Sequence, residues 1–277
     1  MAAYETSGDK NLSGSLAQIG GKGLFTKEIE EALLSGAARF AVHSMKDMPA
    51  VAPEGLVIAA TPPREDPRDC FISPQAPSPW DLPIEASIGA ASVRRIAQVL
   101  ARRPDLRPVT LRGNVGSRLE KLQKGDVAAT FLALAGLKRL GLENHATKIM
   151  TPEDMLPAPC QGALCVQARA DDEQALALAV KIDCPKTRLC VAVERAFLAA
   201  LDGSCRSPIA GLAMIEGGEI FFRGELLSLD GAERFRAERR FVFSLDDIIS
   251  AETVGKEAAA EIRAAAGESF FERLNEA

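Results

Sequence analysis

The chain has 277 residues, enough for two or three domains around a substantial buried core. Hydrophobic residues make up 47% and charged residues 26%, the balance of a soluble globular protein, and no apolar run approaches the length of a membrane span. A net charge of −5 argues against a general nucleic-acid binder, and the polar opening Met1 to Lys10 lacks the apolar core of a secretion signal, so the cytosol is the expected location.

In chain order, Gly20-Gly21-Lys22-Gly23 reads as a flexible turn. A helix is predicted over Leu24 to Ser35, with Leu24, Phe25, Ile29, Ala32 and Leu33 on one face and Gly36 as its C-terminal cap. Arg39 to His43 reads as a short buried strand running into Ser44-Met45-Lys46-Asp47, where Pro49 forbids further pairing. The middle of the chain repeats a strand, turn and helix rhythm. Ala86 to Gly89 leads through Ala90-Ala91-Ser92 into a helix over Val93 to Arg102. Pro108 to Leu111 leads through Gly113-Asn114-Val115-Gly116 into a helix starting near Ser117, with Glu120 as a possible capping box. Val127 to Leu134 is a further strand, and Gly136 to Leu140 a short helix.

This alternation implies an α/β fold with a mostly parallel sheet, whose ligands bind beyond the carboxyl ends of the strands. The turns at Ser44 to Asp47, Ala90 to Arg95 and Arg112 to Arg118 all fall there. The last third differs. A helix over Pro185 to Leu201 precedes three strands between Ile209 and Phe243, turning at Glu216-Gly217-Gly218 and Asp230-Gly231, and a final helix covers Asp246 to Ala265. That pattern predicts a small C-terminal α+β domain with a three-stranded sheet.

Although the protein is acidic, its arginines gather in the middle, at Arg94-Arg95, Arg102-Arg103, Arg112, Arg118 and Lys138-Arg139. Small residues beside cations at strand ends leave backbone N–H groups open to an anion, and arginine pairs with carboxylates through two parallel bonds. Three such turns at one sheet end suggest a cleft for a polyanion; a solvated basic face is the plainer reading of any single arginine. The Gly20 to Lys22 turn is not a P-loop, because Leu16 stands at its first glycine and Gly23 follows the lysine.

Asp47 follows a buried strand, beside Lys46, on the side where the arginines gather. A carboxylate there could protonate a leaving group or hold developing positive charge; a helix cap or a salt bridge to Lys46 is the structural alternative. The six cysteines, 70, 160, 165, 184, 190 and 205, do not have zinc-site spacing, and no metal is expected. Cys205 lies in Gly203-Ser204-Cys205-Arg206, past a helix end and beside a cation, where a thiolate is favoured. The other five belong to segments expected to be buried or have no adjacent functional pattern.

Several motifs resemble the porphobilinogen deaminase (hydroxymethylbilane synthase) family: Gly20 to Phe25, His43-Ser44-Met45-Lys46-Asp47-Met48-Pro49, Arg64 to Asp69, Leu111 to Arg118, Leu134 to Gly141, Gln161-Gly162-Ala163 and the loop around Cys205. They occur in family order over essentially the whole chain. The resemblance implies a three-domain enzyme whose first two domains are like type II periplasmic binding proteins with the active cleft between them. It places domain 1 at residues 1–62 and 163–180, domain 2 at 67–156 and domain 3 at 184–277.

It further implies a dipyrromethane cofactor joined to Cys205 by a thioether, a primer onto which four porphobilinogens are added with loss of ammonia before water releases the tetrapyrrole. By match, Asp47 is the catalytic acid, stabilising positive charge on pyrrole nitrogen. Ser44, Lys46, Ser92, Arg94, Arg95, Arg112, Gly113 and Asn114 match cofactor-binding positions. Lys22, Phe25, Arg118, Arg139 and Gln161 match substrate-binding positions. A monomer that passes its product to uroporphyrinogen-III synthase, with no nucleic-acid or membrane partner, completes the expectation.

Three departures from the family pattern stand out. The family's first strand and helix, with an Arg-x-Ser motif, have no counterpart before Thr6-Ser7-Gly8-Asp9, so an incomplete first sheet and poor activity are expected. Ala90-Ala91-Ser92 replaces Thr-Ser-Ser, removing two hydroxyl donors, and Gln167 stands where an acid is common. The rival reading is a two-lobed binding protein for an anionic pyrrole or other polycarboxylate that has lost catalysis. A phosphate-handling enzyme would need a metal or a P-loop and finds neither in the sequence.

Overall fold

A computed structural model describes residues 26–49, 52–203 and 207–276. Helix α1 (Lys27–Leu34) carries Glu28 and Glu30 in its first turn, where the helix dipole favours acids, and Gly36 closes it at φ +76°. Leu24 and Phe25, expected on the same helix, lie outside the described residues. The chain then forms β1 (Ala41–Ser44), a single 3-10 turn over Met45–Asp47, and β2 (Leu56–Ala60).

After crossing at 61–68 the chain builds a second sheet. Strands β3 (Asp69–Ile72) and β4 (Ser87–Gly89) precede α2 (Val93–Leu100), and β5 (Arg107–Val109) precedes α3 (Val115–Gln123). Strand β6 (Ala129–Ala133), α4 (Leu134–Arg139) and β7 (Lys148–Ile149) complete it. The return segment 150–163 delivers β8 (Leu164–Arg169) back to the first sheet, between β1 and β2, and α5 (Glu173–Ala179) follows.

The sheet prediction needs correction. In the five-stranded order β5-β4-β6-β3-β7, β4 is parallel to β5 and β6, but β3 is antiparallel to β6 and β7. In the first sheet β8 is antiparallel to both neighbours. The reversed strands β3 and β8 are the two that crossing segments deliver. A strand that enters from another layer is free of the right-handed strand, helix, strand unit that makes neighbours parallel.

The last third matches its pattern closely. Helix α6 (Pro185–Ala200), with proline at its first position, precedes an antiparallel meander of β9 (Ile209–Glu216), β10 (Glu219–Leu227) and β11 (Arg234–Val242). Helix α7 (Ile248–Ala266) packs with α6 on one face, where the rings of Phe197 and Phe222 lie 5.1 Å apart, edge to face. Gly267 ends α7 at φ +73°, and α8 (Glu268–Glu276) follows, a break that the sequence reading missed. The chain is thus α/β with a C-terminal three-stranded antiparallel sheet. Its helices, among the described residues, are none of them long and apolar enough to cross a membrane.

The third sheet is fastened to the rest at two kinds of contact. Gly231, in the Asp230-Gly231 turn, sits against α2 so closely that a Cβ would lie 2.3 Å from the Ala97 carbonyl oxygen, so a side chain is sterically barred there. Glu194 of α6, fully buried, is the second. Its carboxylate takes both guanidinium arms of Arg64 at 2.6 and 3.1 Å, the Ala213 N–H of β9 at 2.7 Å, and the Cys160 N–H of the return segment. Replacing Glu194 by Ala strands a largely buried guanidinium and two buried N–H groups, which predicts a loss of roughly 3–5 kcal/mol, read as a lower midpoint in urea unfolding.

The first sheet has a polar interior. His43 on β1 lies 3.1 Å from the Gln167 amide oxygen on β8, and the Gln167 amide nitrogen donates to Glu30 of α1 at 3.3 Å, all three being buried. Burial pushes the His43 imidazole below its ordinary value, against the opposing pull of the Gln167 bond and of Glu30 and Asp47. The unfolded chain therefore binds the proton first as pH falls through about 6.5, and native stability falls with it until the lower folded value is passed. Thermal melts at pH 7.5 and 5.5 should show a smaller drop in Tm for His43→Asn than for the parent chain.

Candidate active site

The first wall of the site is the turn after β1. Met45 and Met48 are buried with Cys160, Ala163 and Cys165, and the Met45 N–H donates to the Ala163 carbonyl at 2.9 Å. With both methionines drawn inward, the residues between them turn outward: Asp47 is exposed and Lys46 half-buried. Ser44, also half-buried, sits at the end of β1 opposite Leu164. Burial lowers the Lys46 pKa, as does repulsion from Arg95 and Arg94, while Asp47 and Asp69 oppose it. Those interactions mark the Met45–Asp47 turn of the first sheet as a neighbour of the start of α2.

The second wall is α2 and the strand beneath it. Ser92 is the N-cap of α2, yet its hydroxyl makes no capping bond. Arg94 and Arg95 are buried at 3% and 6% exposure around Asp69, which is fully enclosed. Arg95 reaches Asp69 Oδ1 at 2.7 Å and the Phe131 carbonyl at 2.9 Å; Arg94 pairs with Oδ2 at 2.9 Å and donates to the Leu156 carbonyl at 2.7 Å. Gln161, also buried, donates to Asp69 at 2.9 Å and to the Pro67 carbonyl at 2.7 Å. Burial alone would raise the Asp69 pKa, but two guanidinium groups overcome it and hold the carboxyl well below its usual range.

The third wall is the turn before α3. Gly113, at φ +120°, holds a backbone that a side chain would strain, and a Cβ would lie 2.1 Å from Ser117 Oγ. The helix begins at Val115, not at Ser117: the Asn114 side chain accepts from the Ser117 N–H at 2.9 Å and caps it, leaving Glu120 exposed and no capping box. Arg118 donates to the Gly113 carbonyl at 2.7 Å. Its pKa is pushed down to about 10, first by burial and then by repulsion from Arg95 and Arg112. The Arg112 Nε is buried without a hydrogen-bond partner. A carboxylate-bearing ligand answers both conditions, since it would neutralise the mutual repulsion and satisfy the open donor.

The basic residues of the middle segment therefore divide. Arg102 lies 3.7 Å over the Trp80 ring and pairs with Asp154, while Arg103 binds Asp105 and the Trp80 and Leu82 carbonyls. Both are fasteners of the second sheet. Arg139 is exposed at the end of α4, where its neighbour Lys138 pairs with Glu65 of the crossing segment. Lys22, Phe25 and Cys205 lie outside the described residues.

Among the described thiols, burial pushes Cys70 and Cys165 to about 11 and Cys190 to about 12, and raises Cys160 further. Cys184 is half-buried at the N-cap of α6, where burial would raise its pKa but bonds from Thr187 and Lys186 lower it. Asp69, Glu194 and Arg195 were not singled out from the sequence. For Asp69 a signal existed, an acid opening the wholly buried strand Asp69–Ile72, which demands a buried counter-charge.

The walls define an α/β protein in which arginines gather near an exposed acid. Comparison with known proteins gives the family. A family model described as porphobilinogen deaminase, dipyromethane cofactor binding domain, matches residues 1–177, and one described as porphobilinogen deaminase, C-terminal domain, matches residues 188–264. Curated porphobilinogen deaminases are similar along nearly the whole chain. That of Nitrobacter winogradskyi is 49% identical over 98% of this chain and 84% of its own. That of Caulobacter vibrioides is 50% identical over 96% and 83%, and the chloroplastic one of rice, Oryza sativa subsp. japonica, 46% over 99% and 76%. Among solved structures, the periplasmic aliphatic sulphonate binding protein SsuA from Escherichia coli aligns over 63% of this chain and 57% of its own, with 15% identity and a TM-score of 0.37. The chain belongs to the porphobilinogen deaminase family.

Asp69→Asn should cost roughly 3–5 kcal/mol, because it leaves two buried guanidinium groups uncompensated. Chemical denaturation monitored by circular dichroism checks this, and a stability unchanged within error would refute the assignment of Asp69 as their counter-charge.

Proposed function

We infer that this chain is a transferase, a hydroxymethylbilane synthase that condenses four porphobilinogen molecules stepwise into hydroxymethylbilane with release of ammonia, in tetrapyrrole biosynthesis. The observation that carries this reading is near-50% identity to curated members over nearly the entire chain. The local electrostatics support it independently. Each pyrrole unit bears two carboxylates, so the growing chain is a polyanion, and Arg112 and Arg118 offer an unmatched positive pair.

The cofactor of the family is dipyrromethane, and the residues present fit it: an open Arg112 donor, a Ser92 hydroxyl left free by the helix cap, and the Gly113 backbone. We assign its attachment to Cys205 by thioether and its carboxylates to Ser44, Lys46, Ser92, Arg94, Arg95, Arg112, Gly113 and Asn114. When bound, it supplies the free pyrrole α-carbon that substrate units are joined to. Arg94 and Arg95 act chiefly through their cation field, since most of their donors already hold Asp69, Leu156 and Phe131, and Arg94 keeps its buried Nε open. Gln161 acts through Asp69 and through its free amide oxygen, and Lys22, Phe25, Arg118 and Arg139 receive the incoming substrate.

Asp47 is the catalytic acid of this reading. Its exposed carboxylate, between two anchored methionines, can accept the pyrrole N–H of a bound substrate and stabilise the positive charge that develops there as ammonia leaves. Lys46 beside it has an ammonium destabilised by burial, which favours pairing with substrate carboxylate. The proposed domains, 1–62 with 163–180, 67–156 and 184–277, each hold one of the three sheets. The proposal extends to a cytosolic monomer whose product is taken up by uroporphyrinogen-III synthase; family membership is its support.

Intact-mass spectrometry tests the reading directly. The purified protein should carry an adduct equal to two linked pyrroles, absent from Cys205→Ser. In adduct-bearing protein, Asp47→Asn should lower kcat by roughly a hundredfold or more. A bare thiol at 205 in active protein would overturn the cofactor assignment, and a bare thiol in an inert protein would favour the binding-protein reading, to which Ala90-Ala91 lends some weight.

A further inference from the structure

We propose that Arg195, on α6, is a positioning residue that fixes the Asp47 turn from behind. Its guanidinium reaches both ends of the segment that carries the acid. Nη2 donates to the Pro49 carbonyl at 2.9 Å, and Nη1 approaches Met45 Sδ at 3.8 Å. Asp47 stands midway between these two points. Inside the turn, the Met48 N–H bonds to the Met45 carbonyl at 3.2 Å, and the entry is tied by the Met45 N–H to Ala163. The exit cannot be tied the same way, because Pro49 has no N–H; its carbonyl is the group through which the backbone can be held. Arg195 takes that carbonyl with a charged donor, which makes a stronger bond than a neutral one.

The neighbouring residue makes this grip rigid. Glu194 is locked by Arg64, Cys160 and Ala213, so α6 is fixed in rotation at the position beside Arg195. The guanidinium also opposes the burial-driven rise in pKa of the Cys160 and Cys165 thiols, which places it near the residues packed with Met45 and Met48. Past its end at Ala200, the same helix leads to Cys205, and its last turn is pinned where Arg263 of α7 reaches the Ala200 carbonyl at 3.3 Å and Asp202 at 3.0 Å. One helix thus connects the segment that bears the thiol to the back of the acid turn. The role assigned to Arg195 rests on the reading of Asp47 as the catalytic acid.

A double-mutant cycle on adduct-bearing protein tests it. Arg195→Leu should lower kcat by roughly tenfold and leave KM for porphobilinogen within about twofold, because the acid is misplaced while the arginine cleft is intact. Arg195→Lys, which keeps one charged donor, should recover part of the loss and serves the same cycle if the leucine variant fails to fold. In an Asp47→Asn background the Arg195 substitution should have almost no further effect on kcat. Equal losses in both backgrounds, or a loss that vanishes on cooling below the unfolding transition, would mean a merely structural arginine and overturn the proposal. If Asp47→Asn alone leaves kcat unchanged, the reading of Asp47 fails and takes this proposal with it, an outcome separate from additivity.

Discussion

The fold turns on one enclosed carboxylate. Glu194 has no access to solvent, and its oxygens bind the crossing segment through Arg64, the return segment through the Cys160 N–H, and the third sheet through the Ala213 N–H. An acid so placed is tolerated only because a guanidinium neutralises it and backbone donors fill its remaining lone pairs. The consequence is geometric. The two segments that join the α/β sheets cannot shift relative to the helix that precedes Cys205 without breaking a charged contact.

A second enclosed carboxylate repeats the logic at the ligand side. Asp69 gathers Arg94, Arg95 and Gln161 around itself, and the excess of positive charge that remains is presented with Lys46, Arg112 and Arg118 close by. A polyanion site needs cations near one another, which repel. Here part of that repulsion is offset internally by one buried acid, and the remainder adds to burial in lowering the proton affinity of Arg118. The arginines differ in what holds them: Arg94 and Arg95 are paired with Asp69, whereas Arg118 binds the Gly113 carbonyl and the Arg112 Nε has no partner among the described residues.

The acid turn follows a different principle. It is short, and its position comes from neighbours: two buried methionines, a backbone bond to Ala163, and Arg195 at the exit. Asp47, between the two buried methionines, is left exposed, while Lys46 beside it is half-buried.

Local chemistry was legible without coordinates. Gly36 as a helix cap, Pro185 opening a long helix, the glycine turns of the C-terminal meander and the order of the family motifs all follow from residue type and spacing. The family was legible by resemblance, because each of its motifs is a contiguous stretch of residues. Tertiary structure alone decided which cations are held by buried acids and carbonyls, the antiparallel pairing of the first sheet and the mixed direction of the second, and the contacts of Asp69, Glu194 and Arg195. The reason is sequence distance: Arg95 finds Asp69 across 26 residues and Arg64 finds Glu194 across 130. A guanidinium looks the same in the sequence whether its partner is a buried acid or an incoming carboxylate, and only packing determines which of the two it meets.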